Sequence, residues 1–179
     1  MYLTQLSFAT LLAATFVAGT KDPSAANAKV HTVVVGSTNS SLLVFTPQEV
    51  TANPGDTVQF QFSMRNHTVT QSSVEAPCMP IADAIHSGFV PVGANQTMVT
   101  TFDVTINDTK PIYMYCAQGK HCQEGMVMTI NAGNSTQNVG TYKAAAKVAT
   151  ANVPAQRVNG GKLGQVAAND ATTVPLKRL

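Results

Sequence analysis

The chain has 179 residues, 44 % of them apolar and only 11 % charged, with a formal net charge of +2. That length suits one domain with extensions and excludes two full domains. The uncharged polar surface argues against a cytosolic enzyme, no nucleic-acid partner is expected, and three cysteines are an odd number that disulfides alone cannot use up.

The chain opens with an apolar run, Leu6–Ala18, broken by Gly19-Thr20-Lys21-Asp22-Pro23. A membrane-spanning helix needs about 20 apolar residues. The shorter run matches the hydrophobic region of a secretion signal, so residues 1–19 are expected to be a signal peptide. Cleavage falls near Gly19, or after Ala28, where Ala26-Asn27-Ala28 gives a small-x-small pattern. Export permits lasting disulfides. N-glycosylation triplets at Asn39, Asn66, Asn95, Asn107 and Asn134 agree with it. Asn66 lies beside His67 and is expected to stay unmodified, leaving the other four as candidates.

From about residue 30 the signals are those of short strands. Val33–Val35 and Leu42–Phe45 are apolar runs ended by Gly36 and Pro47. Thr57–Phe62 alternates strictly, with Val58, Phe60 and Phe62 on one face, and Thr101–Ile106 repeats the pattern. Ile112–Cys116 and Met126–Ile130 complete the set, with turn signals at 53–56, 91–93 and 107–109. Seven or eight strands in one domain spanning 29–132, without a convincing amphipathic helix, predict an all-β sandwich of Greek-key type. Pro77–Asn95 breaks the pattern and is expected to be a long loop or short helical turn.

Charge divides the chain. Residues 29–131 hold four Lys/Arg against seven Asp/Glu, whereas 140–179 hold six against one. This basic tail has few large apolar residues and no strong period. It is expected to be disordered and solubilising, with a short helix around Lys143–Ala151 as an option. No apolar run closes the tail, so no lipid-anchor signal is expected.

The chemistry concentrates in "CAQGKHCQEGM", residues 116–126. Cys116 ends one predicted strand and Met126 opens the next, so the intervening turn can bring Cys116, His121 and Met126 together. A thiolate, an imidazole and a thioether select a soft or borderline metal, copper above all. His67, beyond the alternating strand 57–62, can supply a second imidazole. Two His and one Cys with a weak axial Met make a type 1 electron-transfer copper site. Taken singly, Met126 reads as core, His67 as a strand-end polar residue and Cys116 as half of a disulfide, but those readings leave the spacing unexplained. His86 reads as a surface residue. His31 would bind copper as an N-terminal ligand only if cleavage followed Val30, which is not expected.

These residues resemble the cupredoxins, especially plant phytocyanins and the small secreted cupredoxin-like proteins of fungi. The resemblance covers roughly residues 30–131. It rests on "NPGDTVQFQF", on "NHTVTQSS" with His67, on "PCMP" with Cys78, and on "PIYMYCAQGKHCQEGMVMTIN". It implies a cupredoxin-like sandwich with one copper bound by His67, Cys116, His121 and Met126, and a disulfide between Cys78 and Cys122. The chain-entropy estimate agrees. Bridging Cys116 to Cys122 gives roughly 2–2.5 kcal/mol, and Cys78 to Cys122 roughly 4. One departure stands out. Plant members commonly place Asn after the first ligand histidine, where this chain has Thr68, so the family's hydrogen bonding around the thiolate does not carry over to this position.

A site whose positions are all filled by protein leaves no room for substrate or activated water, so the chain is not expected to be an enzyme. A multicopper oxidase would need paired His-x-His motifs and a longer chain. The expected function is a secreted, monomeric one-electron carrier, extracellular or at the cell wall, serving a protein or small-molecule redox partner. The rivals are a copper-buffering surface protein without a redox partner and a structural wall glycoprotein with an incidental site.

Overall fold

The computed structural model describes residues 27–37, 42–94 and 96–172. The expected signal peptide and the triplets at Asn39 and Asn95 lie outside the described residues.

In chain order the strands are β1 (Val30–Val35), β2 (Phe45–Thr46), β3 (Glu49–Val50), β4 (Thr57–Phe62), β5 (Arg65–His67) and β6 (Thr70–Ser72). They continue with β7 (Val90–Val92), β8 (Met98–Thr105), β9 (Ile112–Tyr115) and β10 (Val127–Ile130). A helix, α1 (Val139–Lys147), and a last strand, β11 (Lys162–Ala167), follow. One sheet has the order β11-β8-β4-β1-β2, the other β3-β10-β9-β6, and β5 pairs with β7 in a small ribbon. The neighbours β1/β4 and β3/β10 run parallel. Parallel neighbours require crossovers rather than hairpins, which agrees with the long-range winding expected from the sequence.

Alternation fixes the core. Val58, Phe60 and Phe62 of β4 are fully buried, and Phe60 stands opposite Phe102 of β8. They meet Val33 and Val35 of β1 and, from the other sheet, Met114, Met128 and Ile130. Each such side chain contributes about 1.5–3 kcal/mol by leaving water. The other sheet is buried on both sides. Met114 faces the sandwich core, while Tyr113, Tyr115 and Val127 join a second cluster with Tyr142 and Ala146 of α1. Strands covered on both faces read as continuous apolar runs rather than alternating ones, which explains "IYMY" and "VMTI".

The expectation of a disordered tail from residue 140 is corrected here over 140–172. Residues 139–172 include α1 and β11. Asn138 caps α1 by accepting from Gly140 N–H at 2.9 Å and Thr141 N–H at 3.1 Å. Tyr142 is fully buried, and its hydroxyl lies 2.6 Å from Ser72 Oγ. One tyrosine and one alanine are enough apolar surface because the sheet offers a ready-made apolar face. β11 adds to the edge of β8 with Lys162 to Ala167 opposite Asp103 to Met98. That addition rests on backbone pairing, to which composition is blind. The glycine just before it matters too: a Cβ at Gly161 would come within 2.6 Å of Phe102 Cζ. The strand count also exceeds seven or eight, because short pairings such as β2, β3 and β7 carry too few residues to show a period. The 77–95 segment is irregular as expected, apart from β7.

At the start of β1, His31 Nε2 lies 2.8 Å from Asp56 Oδ2, and the Asp56 carboxylate also accepts from the backbone N–H of Lys29 and Asn53. The His31 bond first, then the two backbone bonds, hold the Asp56 pKa down from 3.8 to about 2. A depressed carboxylate pKa stabilises the fold above the unfolded value, and that contribution is lost as pH falls through the folded one. The stability difference between the wild-type chain and Asp56→Asn should therefore be fully present at about pH 4–5, just above the unfolded value. It should shrink on acidification to about 2, read by thermal unfolding across that range. Tyr142→Ala should cost about 3–5 kcal/mol, and Tyr142→Phe about 0.5–1.5. Denaturant titration measures both, and equal effects would contradict the packing account.

Candidate metal centre

Two strand ends and one loop build the site. After β4 the chain turns at Ser63-Met64, and Arg65 takes a φ of 82°, starting the short strand that ends at His67. His67 is 1 % exposed. Its Nε2–H donates to the Met64 carbonyl at 3.1 Å, which leaves Nδ1 as the nitrogen with a free lone pair. Gly36, at the end of β1 with φ +92°, makes room for the ring, since a Cβ there would stand 2.7 Å from His67 Nε2.

β9 delivers Cys116 to the same end as a buried free thiol. The loop beyond it closes on itself. Cys116 N–H donates to the Met126 carbonyl at 3.1 Å, Met126 N–H to the His121 carbonyl at 2.9 Å, and His121 N–H to the Gln118 carbonyl at 2.9 Å. This backbone lattice brings the residues at 116, 121 and 126 together. His121 Nδ1 lies 3.4 Å and His67 Nδ1 3.8 Å from Cys116 Sγ. The three donor atoms all lie within 4.8 Å of one another. Met126 is fully buried and packs in the same core cluster as Cys116. Cys78 and Cys122 are disulfide-bonded, with Cα atoms 5.8 Å apart, so the loop is tied covalently to the irregular segment after β6.

The electrostatics prepare the donors for a cation. Burial, and then the neighbouring His121, lower the His67 pKa to about 4. Burial lowers His121 as well. Both imidazoles are therefore neutral at pH 7 and free to coordinate. Burial pushes the Cys116 thiol up, opposed by hydrogen bonds from Thr68 and the Gln118 backbone, so metal binding would release its proton. A soft thiol between two neutral imidazoles, with a thioether packed beside it, fits copper.

Around these donors lie residues whose contacts the sequence did not give. Thr68 N–H points at Cys116 Sγ from 3.3 Å, and Thr68 Oγ1 accepts from Ala117 N–H at 2.8 Å. Thr68 thus ties the His67 strand to the Cys116 strand, answering the question raised by the missing Asn. Asn66 donates to Gln118 Oε1 at 3.0 Å and is half-buried, whereas Asn107 and Asn134 are exposed. From the segment after α1, Asn152 Nδ2 donates to the carbonyls of Cys116 at 3.1 Å and Gly119 at 3.0 Å. Only an ordered tail could reveal that contact.

The surface placement of His86 is corrected: it is 3 % exposed, held between Thr70 and Asn159. Its local context, "AIHSGF", hid this because the covering residues come from distant parts of the chain. His31 sits with Asp56, and the three-donor cluster does not include it. Gly36→Ala should lower stability by about 1–3 kcal/mol, since a left-handed non-glycine is strained and His67 must move. It should also weaken copper binding, measured by competition with a chromogenic chelator. Unchanged affinity would contradict the role given to Gly36.

No family model matches the chain. Over 123 residues it is 40 % identical to a protein of Arthroderma benhamiae named "Extracellular serine-rich protein", covering 68 % of this chain and 48 % of that one. The chain thus spans about half the length of that relative. It is 34 % identical over 139 residues to a protein of the same organism named "Probable GPI-anchored cupredoxin-1", covering 78 % of this chain and 70 % of that one. Given that name, the expectation of no lipid anchor has no support. Among solved structures it is similar to pseudoazurin from Hyphomicrobium denitrificans, at 19 % identity and a TM-score of 0.43, covering 68 % and 99 % of the two chains. A purple cupredoxin from Nitrosopumilus maritimus gives 13 % identity and 0.43, covering 56 % and 96 %. With a relative so named matched over most of its length, the chain belongs to the cupredoxin family.

Proposed function

We propose that the protein is a secreted type 1 copper protein that carries single electrons, with His67, Cys116, His121 and Met126 as ligands. The observation that carries this reading is the convergence of one free buried thiol and two imidazole Nδ1 atoms within 4.8 Å. Bound copper would supply a Cu(I)/Cu(II) couple. The rest is the work of the chain. His67 is held by the Met64 carbonyl, Cys116 by Thr68 N–H, and the loop by Asn152 and the disulfide. Rigid donors reorganise little between oxidation states, the condition for fast electron exchange.

With Cys116 and His67 buried and His121 half-exposed, the His121 edge is the outlet to a partner. A centre filled by protein side chains offers no place for a substrate, which favours a carrier over an enzyme. Among the described residues no helix is long and apolar enough to cross a membrane. The apolar run 6–18 and the relatives' names, extracellular and GPI-anchored, support a secreted protein associated with the cell wall. Asn107 and Asn134 are exposed and are proposed to carry glycan. The functional domain is proposed to run through residue 172, because Asn152 belongs to the support of the metal loop.

The copper-loaded protein should show an intense visible thiolate-to-copper charge-transfer band, lost in Cys116→Ser because a hydroxyl is a poor soft donor. Full colour in that variant would overturn the assignment. Met126→Leu should keep copper and colour while shifting the reduction potential, since a thioether would be a weak donor to the metal. Loss of copper with an intact fold would make Met126 a principal ligand or a structural residue. Electron exchange with soluble redox partners in stopped flow separates a carrier from a copper buffer, which would exchange slowly.

A further inference from the structure

A line of hydrogen bonds leads from Thr68, whose N–H lies 3.3 Å from the Cys116 sulfur, to a buried histidine. Ala117 N–H donates to Thr68 Oγ1 at 2.8 Å; Thr68 Oγ1 lies 2.8 Å from Thr70 Oγ1, which lies 2.9 Å from His86 Nδ1. Thr68 stands against the sulfur through its N–H at 3.3 Å, and its hydroxyl is close enough to favour the thiolate as well. Thr68 and Thr70 are fully buried. Nothing in the metal centre as described so far uses His86.

This line has two directions, and His86 selects between them. A neutral imidazole accepts at one nitrogen and donates at the other, whereas imidazolium donates at both. With Nδ1 accepting, Thr70 donates to His86 and Thr68 donates to Thr70, so the Thr68 hydroxyl has no proton for the sulfur. With a proton on Nδ1, His86 donates to Thr70 and Thr70 donates to Thr68. The Thr68 oxygen then accepts from both Thr70 and Ala117 N–H, and its own proton turns to Cys116 Sγ.

We propose that His86 is a positioning residue that sets the hydrogen bonding of the Cys116 thiolate through Thr70 and Thr68, so that protonation at Nδ1 favours the reduced centre. The inference rests on the copper-carrier reading. A hydrogen bond to sulfur strengthens with the negative charge on it, and that charge is larger in the reduced state. By linkage, reduction raises the His86 pKa, and the reduction potential rises as pH falls through it.

Beyond the Val69 backbone carbonyl, which favours the charged ring, the surroundings of His86 leave this proton under few other influences. β6 brings Thr70 and Gln71, and the tail brings Asn159, whose backbone pairs with His86 at 2.9 Å. The charged groups of these elements are Asp83 on the loop of His86 and Arg157 on the tail, which pair with each other at 2.8 Å and are largely exposed. Burial lowers the His86 pKa, which places the switch on the acid side of the ordinary histidine range.

The test uses copper-loaded full chain, compared with His86→Gln and the near-isosteric Thr70→Val. The reduced-to-oxidised ratio is read at fixed potential against redox dyes from pH 8 to 4.5 (about two units either side of the usual histidine value). Imidazole 15N shifts of the Cu(I) protein report Nδ1 protonation directly. In the wild type the ratio should rise about tenfold on acidification, as for a hydrogen bond to a charged group, and that component should vanish in both variants. Identical pH profiles in all three proteins would overturn the proposal. So would a His86 Nδ1 that stays unprotonated throughout, a result that needs no variant to fold. Failure of the copper-carrier reading looks different: the unaltered protein would lack the charge-transfer band, or would exchange electrons slowly with soluble partners, before any pH comparison.

Discussion

A thiol at zero exposure, Cys116 Sγ, receives a hydrogen bond from the Thr68 backbone at 3.3 Å and stands between two imidazole nitrogens. Holding such a group is a constraint on everything around it. Desolvation opposes its ionised form, so the thiolate needs a cation or several donors nearby. The fold must deliver those donors from strands far apart in sequence and keep them from turning away. Thr68 and Cys116 are 48 residues apart, so their meeting depends on the register of β6 against β9, which places Thr70 opposite Tyr115.

Four attachments restrain the loop that carries Cys116, His121 and Met126. They are its own backbone bonds, the Cys78–Cys122 disulfide, Asn66 to Gln118, and Asn152 to two carbonyls. The disulfide restrains the unfolded chain over a separation of 44 residues, while the side-chain bonds act in the folded state. Their combined effect is a loop whose donors are preorganised before metal arrives, the usual way a protein imposes a site on a metal. The tail takes part twice, through Asn152 at the loop and through Asn159 beside His86.

Much of this was legible in the residues. The period-two pattern of Thr57–Phe62 named the inward face, and β4 buries that face as read. The spacing of Cys116, His121 and Met126 anticipated a convergent loop, and the structure brings Cys116, His121 and His67 together. What stayed hidden shares one physical cause. β11 pairs through its backbone, α1 is held by a single tyrosine and alanine on a prepared surface, and His86 is buried by residues far along the chain. Local composition carries none of these. Thr68 was visible only as a departure; that its backbone and hydroxyl both serve the site follows from geometry alone.

The central claim is that copper sits among His67, Cys116, His121 and Met126, supported by a fold that includes residues 139–172. Anomalous diffraction at the copper edge, on crystals of the copper-loaded chain, tests it most directly. The account predicts a single strong peak between His67 Nδ1, His121 Nδ1 and Cys116 Sγ, on the Met126 side of the loop. A peak elsewhere, for instance beside His31 and Asp56, or no ordered peak in stoichiometrically loaded protein, would contradict it.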